Sequence, residues 1–210
     1  MFHIPRIRNI PRVYTAFIFF AVTAFALSIL CGWLGVLRVL SSWYTHADVI
    51  SFNSGLAFLL GAAALGVHLH QPQATWNRRT EVALALAVVL IGSMTFLEWI
   101  FHASFGIDEL VVAQRAAQAS TAMPGRMPPN NAFNFILIGM ALCLRRWRIG
   151  TGMSPPQWLC LIAMTNALLS ATVYGFSGDD VSQNMAITPM SVPSAIAFMF
   201  LGSGILASRP

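Results

Sequence analysis

Six stretches of this chain carry no charged side chain at all: Val13 to Leu37, Val49 to Val67, Val82 to Leu97, Met127 to Leu144, Ile149 to Gly178 and Val181 to Ser208. Each is of the order of the ~20 residues that a helix needs to cross a bilayer. In hydrocarbon every backbone polar group must be satisfied within the segment, so such runs fold as helices. Composition points the same way, since 57% of residues are hydrophobic and 9% charged, far from the balance of a soluble domain. The expected fold is an all-α membrane protein: one transmembrane domain over residues 1–210 with six transmembrane helices. The first run is too long to be a cleaved signal peptide, and no small-residue cleavage pattern follows it cleanly.

All twelve basic residues are arginine, and their positions assign a topology. Arg6, Arg8 and Arg12 precede the first run; Arg78 and Arg79 fall between the second and third; Arg145, Arg146 and Arg148 between the fourth and fifth; Arg209 follows the sixth. Arg38, Arg115 and Arg126 lie on the opposite side, among Asp48, Asp108, Glu109, Asp179 and Asp180. The positive-inside rule then puts both termini in the cytoplasm and the acidic loops outside. Because the arginines flank apolar runs, the net charge of +5 speaks for membrane topology and against nucleic acid. His3 belongs to an Arg- and Pro-rich tail suited to an anionic inner leaflet.

Cys31, Cys143 and Cys160 sit in apolar runs without C-x-x-C spacing, which gives neither a disulfide framework nor a zinc site. Nucleophile elbow, phosphate loop and paired carboxylates are all missing from the sequence, so the chain is read as a non-enzyme with no metal and no cofactor. Trp33, Trp43, Trp76, Trp99, Trp147 and Trp158 lie near run ends, as interface anchors do. The long loop from Ile107 to Met127 is Ala-rich and suits an amphipathic helix on the outer surface, a lid in position.

An internal repeat runs through the even-numbered helices. ISFNSGLAF (Ile50 to Phe58), MPPNNAFNF (Met127 to Phe135) and MSVPSAIAF (Met190 to Phe198) align without gaps: Ile or Met first, Asn or Pro fourth, Ser or Asn fifth, Gly or Ala sixth, Phe ninth. A glycine follows four residues after Phe in the last two copies (Gly139, Gly202) and one residue earlier, at Gly61, in the first. The expected plan is three repeated helical hairpins, about 13–70, 80–146 and 155–208. Proline is tolerated in a helix's first turn, and Asn or Ser caps its unpaired N–H groups. Asn53, Asn130, Asn131 and Ser194 are accordingly expected as helix caps. Their alternative role is an anion or headgroup site where three positive helix N-termini converge.

Ionisable residues inside a run are functional candidates by default. Glu98 stands near the outer end of the third run, with His102 four residues on and hence on the same helical face. The two are candidates for a proton-sensitive pair, and Glu98 or Asp108 for an ion pair with Arg126, the arginine just before the fourth run. A haem reading would need His46 with His102; His68 and His70 lie at the opposite end.

Glu98, then FGIDEL (Phe105 to Leu110), PGRMPPN (Pro124 to Asn130) leading into NAFNFILIGMAL, and a last helix running out through LASRP together resemble the multi-spanning N-terminal sensory module of bacterial histidine kinases and diguanylate cyclases. The resemblance covers nearly the whole chain and is most specific at Gly106, Ile107, Asp108, Gly125, Arg126, Met127, Pro129, Asn130 and Ala132. It implies an input module of the bacterial inner membrane whose last helix leads, past Arg209-Pro210, to cytoplasmic output domains where any kinase or cyclase activity would lie. Glu98, His102, Asp108, Arg126, Asn130 and Asn131 are the candidate signal residues. The expected partners are the bilayer, the output domains or a partner subunit, and a second copy of the chain, with no nucleic acid. The alternatives are an interaction subunit of a larger membrane complex, or a quinone- or haem-binding membrane protein.

Overall fold

The structure is a computed structural model that describes residues 10–34, 50–70, 75–106, 126–147, 152–182 and 190–208. It contains six helices, α1 (Ile10–Leu34), α2 (Phe52–His70), α3 (Thr75–Phe101), α4 (Pro129–Cys143), α5 (Pro155–Ser182) and α6 (Val192–Ala207), and no strand among the described residues. Four of them are long and apolar enough to cross a membrane: Ile10–Leu34, Phe52–Leu69, Thr75–Phe101 and Pro155–Val173. α6 is apolar but has 16 residues, and α4 has 15. At 1.5 Å per residue these two are only about 22–24 Å long.

The reason α4 and α6 fall short of the expected runs is local. Residues before them are extended: Pro128 has φ −57° and ψ 146°, Ser191 φ −61° and ψ 143°, and both helices carry proline at their first or second position. Proline costs no helical hydrogen bond there but cannot extend the helix backwards. Two other boundaries move outwards. α3 starts at Thr75, so Arg78, Arg79 and Glu81 ride on its first turns, and α5 continues to Ser182 instead of stopping at Gly178.

The expected caps are corrected. Pro128 and Ser191 occupy the N-cap positions of α4 and α6, neither making a side-chain cap bond, so Asn130, Asn131 and Ser194 lie inside the first turn. At α2 the residue before the helix is Ser51, whose Oγ accepts from the Ser54 N–H at 3.2 Å, and Asn53 is likewise inside. The fifth repeat residue is thus the third of its helix in all three copies. In the first and third copies its partner is the hydroxyl of the serine before the helix: Ser51 and Ser54 hydroxyls are 2.8 Å apart, and Ser191 Oγ donates to Ser194 Oγ at 2.9 Å. One backbone bond recurs in every copy: Gly55 N to Ser51 O (3.2 Å), Ala132 N to Pro128 O (3.0 Å) and Ala195 N to Ser191 O (3.0 Å).

The helices close into a ring. Each packs on its chain neighbours, α1 packs on α6, and α2, α4 and α6 also meet one another. At the centre stand the ninth residues of the three motif copies. The rings of Phe58, Phe135 and Phe198 form a triangle with centroids 4.7, 4.7 and 4.6 Å apart, all fully buried. Lipid tails are as apolar as phenylalanine, so what holds this triangle in a bilayer is dispersion and aromatic edge-to-face contact rather than the hydrophobic effect. Close approach of the backbones allows it. A Cβ on Gly139 would stand 2.6 Å from Val89 Cγ2 and 3.0 Å from the Ala85 carbonyl oxygen.

Candidate functional site

The most connected polar cluster at the end where α2, α4 and α6 begin is built on Glu98. α3 ends at Phe101, and His102 takes a left-handed conformation (φ 49°). The Ala103 N–H bonds back to the Glu98 carbonyl at 3.2 Å, the six-to-one bond of a Schellman ending. This turn swings the following residues over the helix end, so that the Phe105 N–H donates to Glu98 Oε1 at 2.7 Å. A carboxylate at a helix C-terminus is disfavoured by the helix dipole, and here Arg126 offsets it: its Nε lies 3.8 Å from Glu98 Oε2, with Glu98 fully buried and Arg126 nearly so.

Arg126 does more than face one oxygen. Its Nη2 donates to the Ala103 carbonyl at 3.0 Å, and its guanidinium stands 5.8 Å from the centroid of the Trp99 ring, within cation–π range. The Trp99 indole N–H in turn donates to the Met127 carbonyl at 2.9 Å. Glu98, Trp99, Ala103, Arg126 and Met127 therefore form one loop of contacts tying the end of α3 to the start of α4. Trp33 makes the equivalent bond from α1, donating to the Ile50 carbonyl at 2.7 Å, and Ile50 and Met127 are both first residues of the repeat. Two tryptophans expected as interface anchors thus hold the extended entries to the inner helices. Gly32 precedes Trp33 where Glu98 precedes Trp99, so the carboxylate distinguishes the second copy from the first.

The sequence-expected residues divide accordingly. Glu98 and Arg126 come together. His102 does not join them: the helix ends before it, and it is exposed. Asp108, His46 and the loop 107–125 lie outside the described residues. Asn130 is half-buried, whereas Asn131 is buried with its Oδ1 lacking a hydrogen-bond partner, because Pro128 stands where the other copies have a serine hydroxyl. Asn134, one turn on, is fully buried and matched: its Nδ2 donates to the Ala163 carbonyl at 3.2 Å and its Oδ1 accepts from Asn166 Nδ2 at 2.9 Å.

A second polar cluster, at the opposite end of the bundle, was missed by sequence reasoning. Glu81 of α3 and Arg145 just beyond α4 are both buried and form an ion pair, and Arg145 Nη1 donates to Ser208 Oγ at 3.1 Å. The arginine distribution reads Arg145 only as part of the positively charged cytoplasmic flank, and no motif singles out Glu81. Among the described residues no group of three or more His, Cys, Asp or Glu side chains is placed to hold a metal ion. No family model matches the chain, and no curated protein or solved structure matches it either.

Proposed function

We propose that this chain is the membrane-embedded input module of a bacterial signal-transduction protein. In this reading three helical hairpins cross the inner membrane six times, both termini are cytoplasmic, and α6 passes a change in packing to output domains that follow Pro210. The observation that carries it is the pair of buried ion pairs, Glu98–Arg126 and Glu81–Arg145, at opposite ends of α3. Ions inside a membrane protein are expensive and rare outside functional positions. As static stabilisers they compare poorly with well-packed apolar residues, and their best-attested use is to fix one arrangement against another. Two such pairs flanking α4 suit a module with two packings of α3 against α4, between which a ligand or membrane state chooses by binding them unequally. The sequence resemblance supports the same role, and the distribution of the arginines supports the topology.

The test joins a cytoplasmic histidine-kinase output to Pro210 and compares autophosphorylation in native membranes with that of Arg126→Gln and Glu98→Gln variants. A several-fold change in either direction is expected, equal in the two variants and not doubled when they are combined, because one interaction is lost in each. Kinase output indifferent to all three variants would rule the input role out, as would an output domain found on the outer side.

A further inference from the structure

The repeat extends beyond the nine-residue motif. Four residues after Phe58, Phe135 and Phe198 come Ala62, Gly139 and Gly202; seven after, Leu65, Leu142 and Ile205; ten after, His68, Arg145 and Ser208. These spacings keep one helical face, and the first two sets are buried. The line along which the inner helices meet is therefore dry from the aromatic triangle onward and ends in a polar set contributed once by each helix. Two members of that last set are in contact. Arg145 Nη1 donates to Ser208 Oγ at 3.1 Å, while Ser208 Oγ itself donates to the Ile205 carbonyl at 2.8 Å and the Ser208 N–H to Gly204 O at 2.9 Å. Ser208 is the C-cap of α6, where a guanidinium also meets the negative end of the helix dipole.

We propose that Arg145 and Ser208 form a latch that fastens the last turn of α6 to the end of α4, and that Glu81 sets its strength by orienting Arg145. Glu81 belongs to α3, whose packing partners are α2 and α4, yet its carboxylate takes Nη2 of the same guanidinium that holds Ser208 through Nη1. One planar fork therefore links the α3–α4 packing to the end of α6, which the fixed geometry of arginine allows and a lysine would not. This deepens the input-module reading by naming where a change in that packing reaches the exit helix.

Hydrogen exchange read by mass spectrometry on the full chain in phosphatidylcholine nanodiscs tests it. Ser208→Ala removes the acceptor, and the amides of Leu206, Ala207 and Ser208 should exchange about tenfold faster, with those around Phe198 unchanged, as expected for one charge-assisted hydrogen bond lost locally. Glu81→Gln should accelerate the same three amides about threefold, although the polar partner of its carboxylate is Arg145 and not a residue of α6. Should that variant fail to assemble, Arg145→Lys, which keeps the charge and loses the fork, takes its place with the same expectation. Unchanged exchange at the end of α6 in Ser208→Ala overturns the latch; an unchanged or uniformly faster α6 in the second variant overturns the role of Glu81. Because the readout is the chain alone, a failed latch leaves the kinase test standing, and a silent kinase fusion leaves the latch standing.

Discussion

The α3–α4 pair and the α5–α6 pair share a frame and differ in chemistry. Gly139 faces the Ala85 carbonyl oxygen and Val89; Gly202 faces the Cys160 carbonyl oxygen and Met164. The first-turn backbone bonds of α4 and α6 have the same length, and Phe135 and Phe198 stand 4.6 Å apart in one triangle. Yet among the described residues it is the second copy that joins its outer helix to its inner one with charge at both ends, Glu98 to Arg126 and Glu81 to Arg145, whereas α6 begins on two serine hydroxyls. The frame is made by small residues and aromatic rings, since the third pair has it without an ion pair among its described residues. The charges of the second pair are an addition to that frame.

Removing the shared part should hurt every copy alike. Phe58→Ala, Phe135→Ala and Phe198→Ala should each cost about 3–5 kcal/mol, read by denaturant unfolding in micelles, and the three values should agree to within about 1 kcal/mol. A Phe135 variant far worse than the other two would mean that the second copy also carries the packing. The glycines sharpen the contrast at smaller scale. Alanine at Gly139 meets Val89 and two backbone atoms and should cost about 1–3 kcal/mol. Alanine at Gly202 meets chiefly the flexible Met164 side chain, with the Cys160 carbonyl at 3.8 Å, and should cost less than about 1 kcal/mol; equal losses would contradict the difference in rigidity. The smallest effect belongs to the bond between the pairs. A double-mutant cycle of Asn134→Ala with Asn166→Ala should give a coupling of about 0.6 kcal/mol, the mean for polar pairs between membrane helices, and a coupling near zero would leave that link without a part in joining the two pairs.

Much of the frame was legible in the sequence. The ninth-position phenylalanines were found by aligning three short motifs, and the structure brings those side chains together. Glu98 beside Arg126 was legible because consecutive helices must end and begin near one another. The caps were set inside the helix instead of before it, since Asn and Ser serve both the N-cap and the third helical position, and nothing in residue type alone separates Asn130 from Ser51. His102 was placed on the face of Glu98 by a periodicity that the left-handed turn interrupts. Arg145 was hidden by its neighbours, since beside Arg146 and Arg148 it reads as part of the positive flank, and nothing in the spacing singles out Glu81 beside Arg78 and Arg79. Carrying the repeat ten residues past each phenylalanine would have put His68, Arg145 and Ser208 in one column.

The unequal helix lengths bear on how the molecule meets its bilayer. α1, α3 and α5 have 25, 27 and 28 residues, about 38–42 Å of helix against a hydrocarbon core of ~30 Å. In the proposed six-span arrangement the excess is taken up by tilt, while α4 and α6 are shorter than the same core and their proline-bearing entries make up part of the distance. Membrane thickness then acts in opposite senses on the two sets: thinning tips the long helices further while matching the short ones better, and thickening does the reverse. A chain built of equal helices would answer such a change by leaning as a whole; in that arrangement this one would slide its long helices along its short ones.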